Sequence, residues 1–200
     1  MQITNLFPQP LGISNINRKL TPEEFYHILT QQRINNTDNE NTINDTLLDD
    51  EKLSDLKSEI QKNIDEYFRK VYCPSDDIEI YITQSWANYT TSGSHYKHNH
   101  SNSFISGVFY VNAYQNDVIE FSKLKDMILD ITPTEYNIWN TEDWIEPVEN
   151  GQILLFPSKL VHGVPTRGEN VNSERISIAF NTFLKGKLGV RDHKTQLILD

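Results

Sequence analysis

The sequence predicts a mainly β (α+β) protein, an antiparallel sandwich or jelly roll supported by two N-terminal helices. Two segments of the first 75 of the 200 residues have apolar side chains every three or four positions, whereas from residue 76 onward apolar residues alternate with polar ones. The later strands are short and no long helix separates them, which favours antiparallel sheets over alternating β and α units. We therefore expect one domain over residues 1–200, with a helical front at 1–75 and a jelly-roll core at 76–200.

Composition and charge exclude several classes of protein. Asp and Glu number 28 against 18 Lys and Arg, a net charge of −10 that argues against a nucleic-acid partner. The chain has no apolar run long enough for a membrane span and no apolar N-terminal run of the signal-peptide type. The single cysteine, Cys73, cannot form an internal disulfide, which favours a reducing compartment. We expect a soluble protein of the cytoplasm (the host cytoplasm if it is phage-encoded) without nucleic-acid or membrane partners.

The first helix has a recognisable start in residues 21–24 (TPEE). Thr21 can cap the backbone, Pro22 suits the first helical position and Glu24 completes a capping box. Apolar residues at positions 25, 28 and 29 share one face of this helix. The stretch from Ile34 to Asp50 is rich in Asn, Thr and Asp and has little apolar periodicity, so we expect it to be an exposed, mobile loop.

The second helix has the strongest periodicity in the chain, an apolar stripe of about five turns. Its members are Leu53, Leu56, Ile60, Ile64, Tyr67, Phe68 and Val71. The stripe is expected to pack against the sheet that follows. Cys73 precedes Pro74 and is therefore disfavoured in a helix, so the helix should end there.

The β-rich body begins with a half-buried strand, because Ile78, Ile80 and Ile82 alternate with polar or amphipathic residues. Asn-Gly at 150–151 marks a turn before a later strand. The further predicted strands are Ser103–Ala113, Val118–Phe121, Gln152–Phe156, Ile176–Phe183 and Gln196–Leu199.

The histidines are the first candidates for chemistry, because three lie within six residues and His162 follows far downstream. Residues two apart on a strand point to the same side, so His98 and His100 can converge, whereas His95 should point elsewhere unless the backbone bulges. Neutral imidazole is a good ligand for iron, zinc, copper or nickel. The cluster is either a metal site or a polar surface loop. The remaining histidines, expected to be exposed and uninvolved, are His27 and His193.

A second candidate is the strand that starts at Arg175. Arg175, Ser177 and Ala179 share one face of it, while Ile176 and its neighbours two residues apart share the other. A buried Arg requires an anionic partner, and a guanidinium binds a carboxylate with two hydrogen bonds, to which the Ser177 hydroxyl can add a third. The alternative is that this face is exposed to solvent and that Arg175 is an ordinary surface charge.

Three segments together resemble the 2-oxoglutarate/Fe(II)-dependent oxygenase family of tailed phages and bacteria, which is distantly similar to the prolyl 4-hydroxylases. They are residues 98–111 (HNHSNSFISGVFYV), 155–162 (LFPSKLVH) and 175–181 (RISIAFN). The resemblance covers roughly Ser85 to Gly189 and is weaker in the helical front. It implies a double-stranded β-helix, the jelly-roll form of this family, that holds Fe(II) and 2-oxoglutarate and consumes O2.

The resemblance also implies roles for individual residues. His98 would be the first metal ligand and His162 the distal one, and Arg175, helped by Ser177, would bind the far carboxylate of 2-oxoglutarate. Tyr110 could donate a hydrogen bond to the 2-oxo acid, although a packed core aromatic is the alternative. The implied reaction is decarboxylation of 2-oxoglutarate to succinate with hydroxylation of an unidentified substrate, for which a peptidyl proline is the nearest analogy.

The third metal ligand is where this sequence departs from the wider superfamily, which has His-x-Asp or His-x-Glu as its first pair. His100 occupies the acidic position here. Three alternatives remain: His100 itself completes a three-histidine site, a carboxylate such as Glu120 reaches the metal, or the site is weak and inactive. The rival classes are a non-catalytic metal- or ligand-binding β-barrel, a virion-associated interaction protein that keeps the fold, and a zinc hydrolase that uses the three histidines.

Aromatic residues suggest further walls of a pocket. Trp86 and Asn88 share a strand face that could line it, although for Trp86 a packed core position is the alternative. Trp139 and Trp144 lie in the polar stretch Glu135–Glu146, which forms either a loop over the pocket or a surface patch.

Overall fold

The computed structural model describes residues 1–16, 18–123, 131–167 and 173–200, and within them it contains two antiparallel β-sheets and two α-helices. The helices are α1 (Pro22–Leu29) and α2 (Ser54–Tyr72). The strands, in chain order, are β1 (Gly12–Asn15), β2 (Arg33–Asn36), β3 (Asn39–Thr42), β4 (Ile78–Thr90), β5 (His95–His98), β6 (Ile105–Asn112), β7 (Val118–Ser122), β8 (Asp143–Pro147), β9 (Gln152–Pro157), β10 (Val161–Val164), β11 (Arg175–Leu188) and β12 (Leu197–Leu199). Short 3-10 turns cover Leu47–Asp49, Glu51–Leu53 and Arg191–His193.

The two sheets pack against each other as a jelly roll, which confirms the predicted fold class. The larger sheet has the order β1-β9-β6-β11-β4-β3-β2, with β12 on the end of β11, and the smaller one has the order β5-β10-β7-β8. Each predicted strand is present, and β11 runs five residues beyond its predicted end. Six described strands were not predicted (β1, β2, β3, β5, β8 and β10), because each is only four or five residues long and lacks a clear apolar alternation.

The first helix begins as predicted. The Thr21 hydroxyl accepts a hydrogen bond from the Glu24 amide at 3.1 Å, and the Glu24 carboxylate accepts one from the Thr21 amide at 2.7 Å. This capping box satisfies two amides that the helix itself leaves unpaired. The Arg18 guanidinium adds two hydrogen bonds to the same carboxylate, at 2.6 and 2.7 Å.

The second helix places its apolar stripe on the larger sheet, where it contacts β4 and β9. Five residues of the stripe are buried within the helix, namely Leu56, Ile60, Ile64, Tyr67 and Phe68. Val71 at its last turn stays exposed. Cys73 ends the helix in the left-handed conformation with φ of 46°, and its thiol is free and exposed.

The expectation of an exposed loop from Ile34 to Asp50 was wrong. β2 and β3 form a hairpin in this stretch, and β3 extends the larger sheet by pairing with β4. Leu47 and Leu48 are completely buried beneath it. The hairpin was not predicted because β3 is polar on both faces. Its place in the sheet depends on backbone pairing rather than on apolar alternation. The front of the chain is therefore not purely helical, since it contributes three strands to the larger sheet.

Alternation along the central strands separates two apolar clusters. One cluster lies between the larger sheet and the helices, and it includes Tyr89, Phe109, Ile178 and Phe180. The other lies between the two sheets, and the polar cavity described below opens beside it. Among the described residues, no helix is both long enough and apolar enough to cross a membrane.

Candidate metal centre

Three histidines meet between the sheets. His98 ends β5, His100 follows two residues later, and His162 lies on β10 directly opposite His98 in the ladder. One ligand atom from each ring lies within 4.8 Å of the others. The pairing of β5 with β10 therefore brings together residues that are more than sixty positions apart in the sequence.

Backbone carbonyls orient two of these rings. Nδ1 of His98 lies 2.8 Å from the Tyr96 carbonyl oxygen, and Nδ1 of His162 lies 2.9 Å from that of Leu160. Because a carbonyl only accepts, each Nδ1 carries the proton and donates it, which leaves Nε2 with a free lone pair. Hydrogen bonds of this kind fix the tautomer and direction of metal-binding histidines.

A fourth histidine also lines the cavity. His95 pairs with Val164 while His98 pairs with His162, so β5 uses three residues where β10 uses two. This bulge turns the His95 ring toward the site, with its centroid 4.6 Å from that of His98. The sequence predicted that His95 would face the other histidines only if the backbone bulged, and β5 contains that bulge.

Burial keeps three of the cavity imidazoles neutral. Together with the neighbouring histidines of the cluster, it lowers the pKa of His95, His100 and His162 to about 4 each. A neutral imidazole has the lone pair that a metal ion requires.

No carboxylate of the described residues joins the three histidines. Glu120 instead pairs with Lys97 at 2.6 Å, and Lys97 also contacts Asp143 at 2.8 Å. Asp117 is paired with Arg167 at 2.7 Å. The structure therefore brings His100 to the cluster and holds Glu120 in an ion pair with Lys97.

Arg175 faces the same cavity from the first position of β11. It is 3% exposed and its Nη1 atom has no hydrogen-bond partner in the described part of the chain, so the alternative of an ordinary surface charge was wrong. Burial lowers the pKa of its guanidinium from the usual value, because a charge is costly away from water. Ser177 and Ala179 line the cavity on the same face of the strand.

The larger sheet supplies most of the remaining walls. Trp86 and Asn88 line the cavity as the strand alternation suggested, and Tyr110 lines it as well. Burial raises the pKa of Tyr110, so its hydroxyl keeps its proton and remains a donor. Oδ1 of Asn88 has no hydrogen-bond partner among the residues that the structure describes. Each of these side chains comes from a strand that continues into the core, so the walls are fixed by packing.

The two later tryptophans lie outside the cavity. Trp139 and Trp144 are about half exposed, and neither lines the cavity. The Trp139 ring donates from Nε1 to Asn5 Oδ1 at 2.9 Å. They therefore belong to the surface, the second of the two alternatives for this stretch.

Two histidines were expected to be exposed and uninvolved. His193 is exposed, but for His27 the expected exposure was wrong, because its ring is half-buried and lies 3.0 Å from the Asp50 carboxylate. Neither residue lines the cavity. Two polar side chains that line the cavity, Asn39 and Ser106, were not predicted from the sequence. Asn39 lay in the expected loop, and Ser106 carried no signal beyond its even spacing from Tyr110.

The segment that contributes most of the cavity is similar to a known protein family. Residues 84–181 match the model of the family described as "Putative 2OG-Fe(II) oxygenase", a segment that contains the three clustered histidines and Arg175. No curated protein matches the sequence significantly.

Several solved structures share the fold at low sequence identity. HygX from Streptomyces hygroscopicus, solved with nickel, 2-oxoglutarate and hygromycin B, is 10% identical, covers 87% of this chain and 82% of its own, and has a TM-score of 0.59. An oxidoreductase of the 2OG-Fe(II) oxygenase family from Burkholderia pseudomallei is 11% identical with a TM-score of 0.54, covering 86% of this chain and 83% of its own. A prolyl-4-hydroxylase from Pseudomonas putida is 10% identical with a TM-score of 0.52, covering 86% and 92% respectively.

Proposed function

Because residues 84–181 belong to the 2OG-Fe(II) oxygenase family of oxidoreductases, we propose that His98, His100 and His162 hold Fe(II) and that Arg175 binds 2-oxoglutarate. The observation that carries this proposal is a buried guanidinium whose Nη1 atom has no hydrogen-bond partner among the described residues, in the cavity that also contains three convergent histidines.

The histidine cluster fits a ferrous ion by its donor chemistry. Imidazole nitrogen suits iron, and the tautomers of His98 and His162 present Nε2 as the ligand atom. With His100 as the third ligand the donor set is neutral, and positions on the metal remain for the co-substrate. Glu120 could replace His100 only by leaving Lys97, so we propose the three-histidine set.

Arg175 fits one carboxylate of the co-substrate. A guanidinium donates two parallel hydrogen bonds to a carboxylate, and within the described residues Nη1 has no partner that it would have to leave. Ser177 lies two residues along the same face, so its hydroxyl can donate to the same carboxylate. The protonated Tyr110 hydroxyl can donate to the co-substrate as well. Binding would then repay the cost of burying the Arg175 charge.

When bound, iron and 2-oxoglutarate supply the family's chemistry, in which one oxygen atom of O2 enters succinate as CO2 is released and the other oxidises a substrate. We propose that the product is a hydroxylated C–H centre of a peptide or small molecule. A peptidyl proline is the nearest candidate, by analogy with the prolyl-4-hydroxylase that shares the fold. Apolar side chains such as Ile119 and Phe156 line the cavity and exclude water from it.

Anaerobic titration of the apoprotein with Fe(II) and then 2-oxoglutarate tests both assignments. We expect a weak visible absorption band that requires both additions. His98→Ala should lower the affinity for Fe(II) by more than about 100-fold, whereas His193→Ala on the exposed surface should leave it unchanged. Arg175→Met should keep Fe(II) binding and weaken 2-oxoglutarate by about 100-fold, with the exposed Arg191→Met as its control.

The negative outcomes separate the rival functions. Iron that binds without giving the band would overturn the co-substrate assignment and favour a different metalloprotein, with zinc hydrolysis the next activity to assay. Absence of metal binding would favour a non-catalytic binding module that retains the fold. In air and with no added substrate, we expect the band to form without production of succinate, because an oxygenase that has not bound its substrate does not turn over.

A further inference from the structure

A chain of buried polar side chains lies behind His100, and the proposed function uses none of its members. The Ser103 and Ser158 hydroxyl oxygens are 2.7 Å apart, and those of Ser158 and Ser106 are 2.8 Å apart. The Ser106 hydroxyl lies 2.9 Å from Oδ1 of Asn181, and the amide nitrogen of Asn181 lies 3.4 Å from Nδ1 of His100. Ser106, Ser158 and Asn181 are each at most 5% exposed. We call these four residues (Ser103, Ser106, Ser158, Asn181) the serine–asparagine relay.

The relay occupies the place that backbone carbonyls occupy at the other two rings. Nδ1 of His98 and of His162 each donates to a carbonyl oxygen two residues earlier in the chain. Within the described part of the chain, the hydrogen-bond neighbour of His100 Nδ1 is the carboxamide of Asn181. The tautomer of His100 therefore depends on a side chain, which can present either a donor or an acceptor.

Counting protons leaves two consistent directions for the relay, because each hydroxyl has one proton to donate. In one direction the Asn181 amide group donates to Nδ1, which leaves the proton on Nε2 and removes the lone pair that faces the metal. In the other, a half-turn of the carboxamide lets Oδ1 accept from Nδ1 of His100. The amide group then donates to Ser106, Ser106 to Ser158, and Ser158 to Ser103.

Only in the second direction does the last hydroxyl, that of Ser103, donate its proton to an acceptor outside the relay. Only in that direction does His100 keep a free Nε2 lone pair for the metal. The Ser103 hydroxyl lies 3.3 Å from the carbonyl oxygen of Ile105, which can accept its proton. Gln84 Oε1 lies 3.5 Å from the Asn181 amide nitrogen, but Gln84 is exposed and its own carboxamide can turn to donate instead.

We propose that Asn181 is a positioning residue that holds His100 in the Nδ1–H tautomer, and that the three serines keep the Asn181 carboxamide in the required orientation. This inference rests on the proposed role of His100 as the third metal ligand. It assigns Asn181 the function that the Tyr96 and Leu160 carbonyls perform for His98 and His162. Hydrogen-bond partners of this kind change metal affinity by about 10- to 100-fold.

Metal affinity of the full chain tests the inference without any need for the substrate. Apoprotein is titrated with Co2+, whose visible spectrum reports the number and kind of ligands. Asn181→Leu keeps the size of the side chain and removes both hydrogen bonds, so we expect a loss of affinity of about 10-fold or more. Asn181→Asp keeps the acceptor for Nδ1–H, so its affinity should equal or exceed that of the unmodified protein. Asn41→Leu, the same change on β3, should have no effect.

A double-mutant cycle with His100→Ala shows whether Asn181 acts through His100. We expect Asn181→Leu to cause no further loss once His100 is absent, and the Co2+ spectrum of Asn181→Leu to resemble that of His100→Ala. A full additional loss in the His100→Ala background would overturn the inference, since it would indicate a general structural effect.

Failure of the inference differs from failure of the proposed function. If His100→Ala leaves Co2+ affinity unchanged, the three-histidine metal site is wrong. If His100→Ala weakens binding but Asn181→Leu does not, only the role of Asn181 is overturned. Should Asn181→Leu fail to fold, Asn181→Asp decides, because a 10-fold loss in that variant contradicts the proposed direction of the relay. Ser158→Ala, which interrupts the relay at its centre, should weaken Co2+ binding about 2- to 10-fold.

Discussion

The two faces of the larger sheet are built from the same strands and have opposite character. On β11, Ile176, Ile178 and Phe180 point to the helices and are completely or nearly completely buried among apolar side chains. Arg175, Ser177 and Asn181 alternate with them, face the smaller sheet and are just as buried. The face toward the helices buries apolar groups, which need no hydrogen-bond partner. The face toward the smaller sheet buries polar groups, which need one.

The difference extends to how buried polar groups are paired. In the helical layer, Glu24 receives hydrogen bonds from the Arg18 guanidinium and from the Thr21 amide. On the cavity side, Arg175 Nη1, Asn88 Oδ1 and Thr90 Oγ1 have no hydrogen-bond partner among residues 1–16, 18–123, 131–167 and 173–200. A buried polar atom without a partner costs about 1–3 kcal/mol. The helix face therefore stabilises the fold, and the cavity face gives up stability for binding.

The largest expected effect separates the two faces at adjacent residues. Ile178→Ala leaves a cavity beneath the helices and should lower the free energy of unfolding by about 2–5 kcal/mol, because Ile178 is completely buried. Ser177→Ala, one residue earlier on the cavity face, should change the free energy of unfolding by less than about 1 kcal/mol. Urea unfolding of both apoproteins measures the contrast. Equal losses in the two variants would show that both faces carry stability.

A smaller effect of opposite sign is expected at Arg175. Arg175→Met replaces a buried, unpartnered charge by an apolar chain of similar length, so the free energy of unfolding of the apoprotein should rise by about 1 kcal/mol. The same variant should lose 2-oxoglutarate binding. Thermal unfolding without ligand provides the measurement, and Arg191→Met on the exposed surface provides the control. A loss of stability of 1 kcal/mol or more would mean that Arg175 has a stabilising role in the absence of ligand.

Most of the fold could be predicted because the elements that bury one face carry a periodic pattern of apolar residues. The stripe of α2 and the alternation of β4 and β11 each mark a face that must leave water, and the structure buries those faces. The hairpin of β2 and β3 could not be predicted in this way. Its strands are polar, and their pairing is determined by the exposed edge of β4, which local sequence does not describe.

The candidate site was predictable to a similar depth. The two-residue spacing was sufficient to predict that His98 and His100 converge, and that Arg175 and Ser177 lie on one face, which lines the cavity. The place of His95 depended on a bulge, and the contacts of Asn181 depend on four segments that meet only in the folded chain. Periodicity identifies which face a residue occupies, whereas hydrogen-bond partners across strands require the three-dimensional register.

The smallest effect concerns the satisfied polar group of the helical layer. Burial alone would raise the pKa of Glu24, but hydrogen bonds from Arg18 and Thr21 outweigh it, and the pKa of this carboxyl lies below the usual value. The unfolded chain therefore binds the proton more readily, so this stabilisation is complete above about pH 4.5 and is lost as the pH falls through the lowered pKa.

Glu24→Gln keeps a capping box and removes the charge. It should lower the free energy of unfolding by about 1 kcal/mol at pH 7 and reduce the loss of stability below pH 4.5. Glu23→Gln, exposed in the same turn, is the matched control, and thermal unfolding between pH 3 and pH 7 is the measurement. If both variants retain the pH dependence of the unmodified protein, the Arg18–Glu24 pair contributes nothing to the fold, and the contrast between satisfied and unsatisfied buried groups would rest on the cavity face alone.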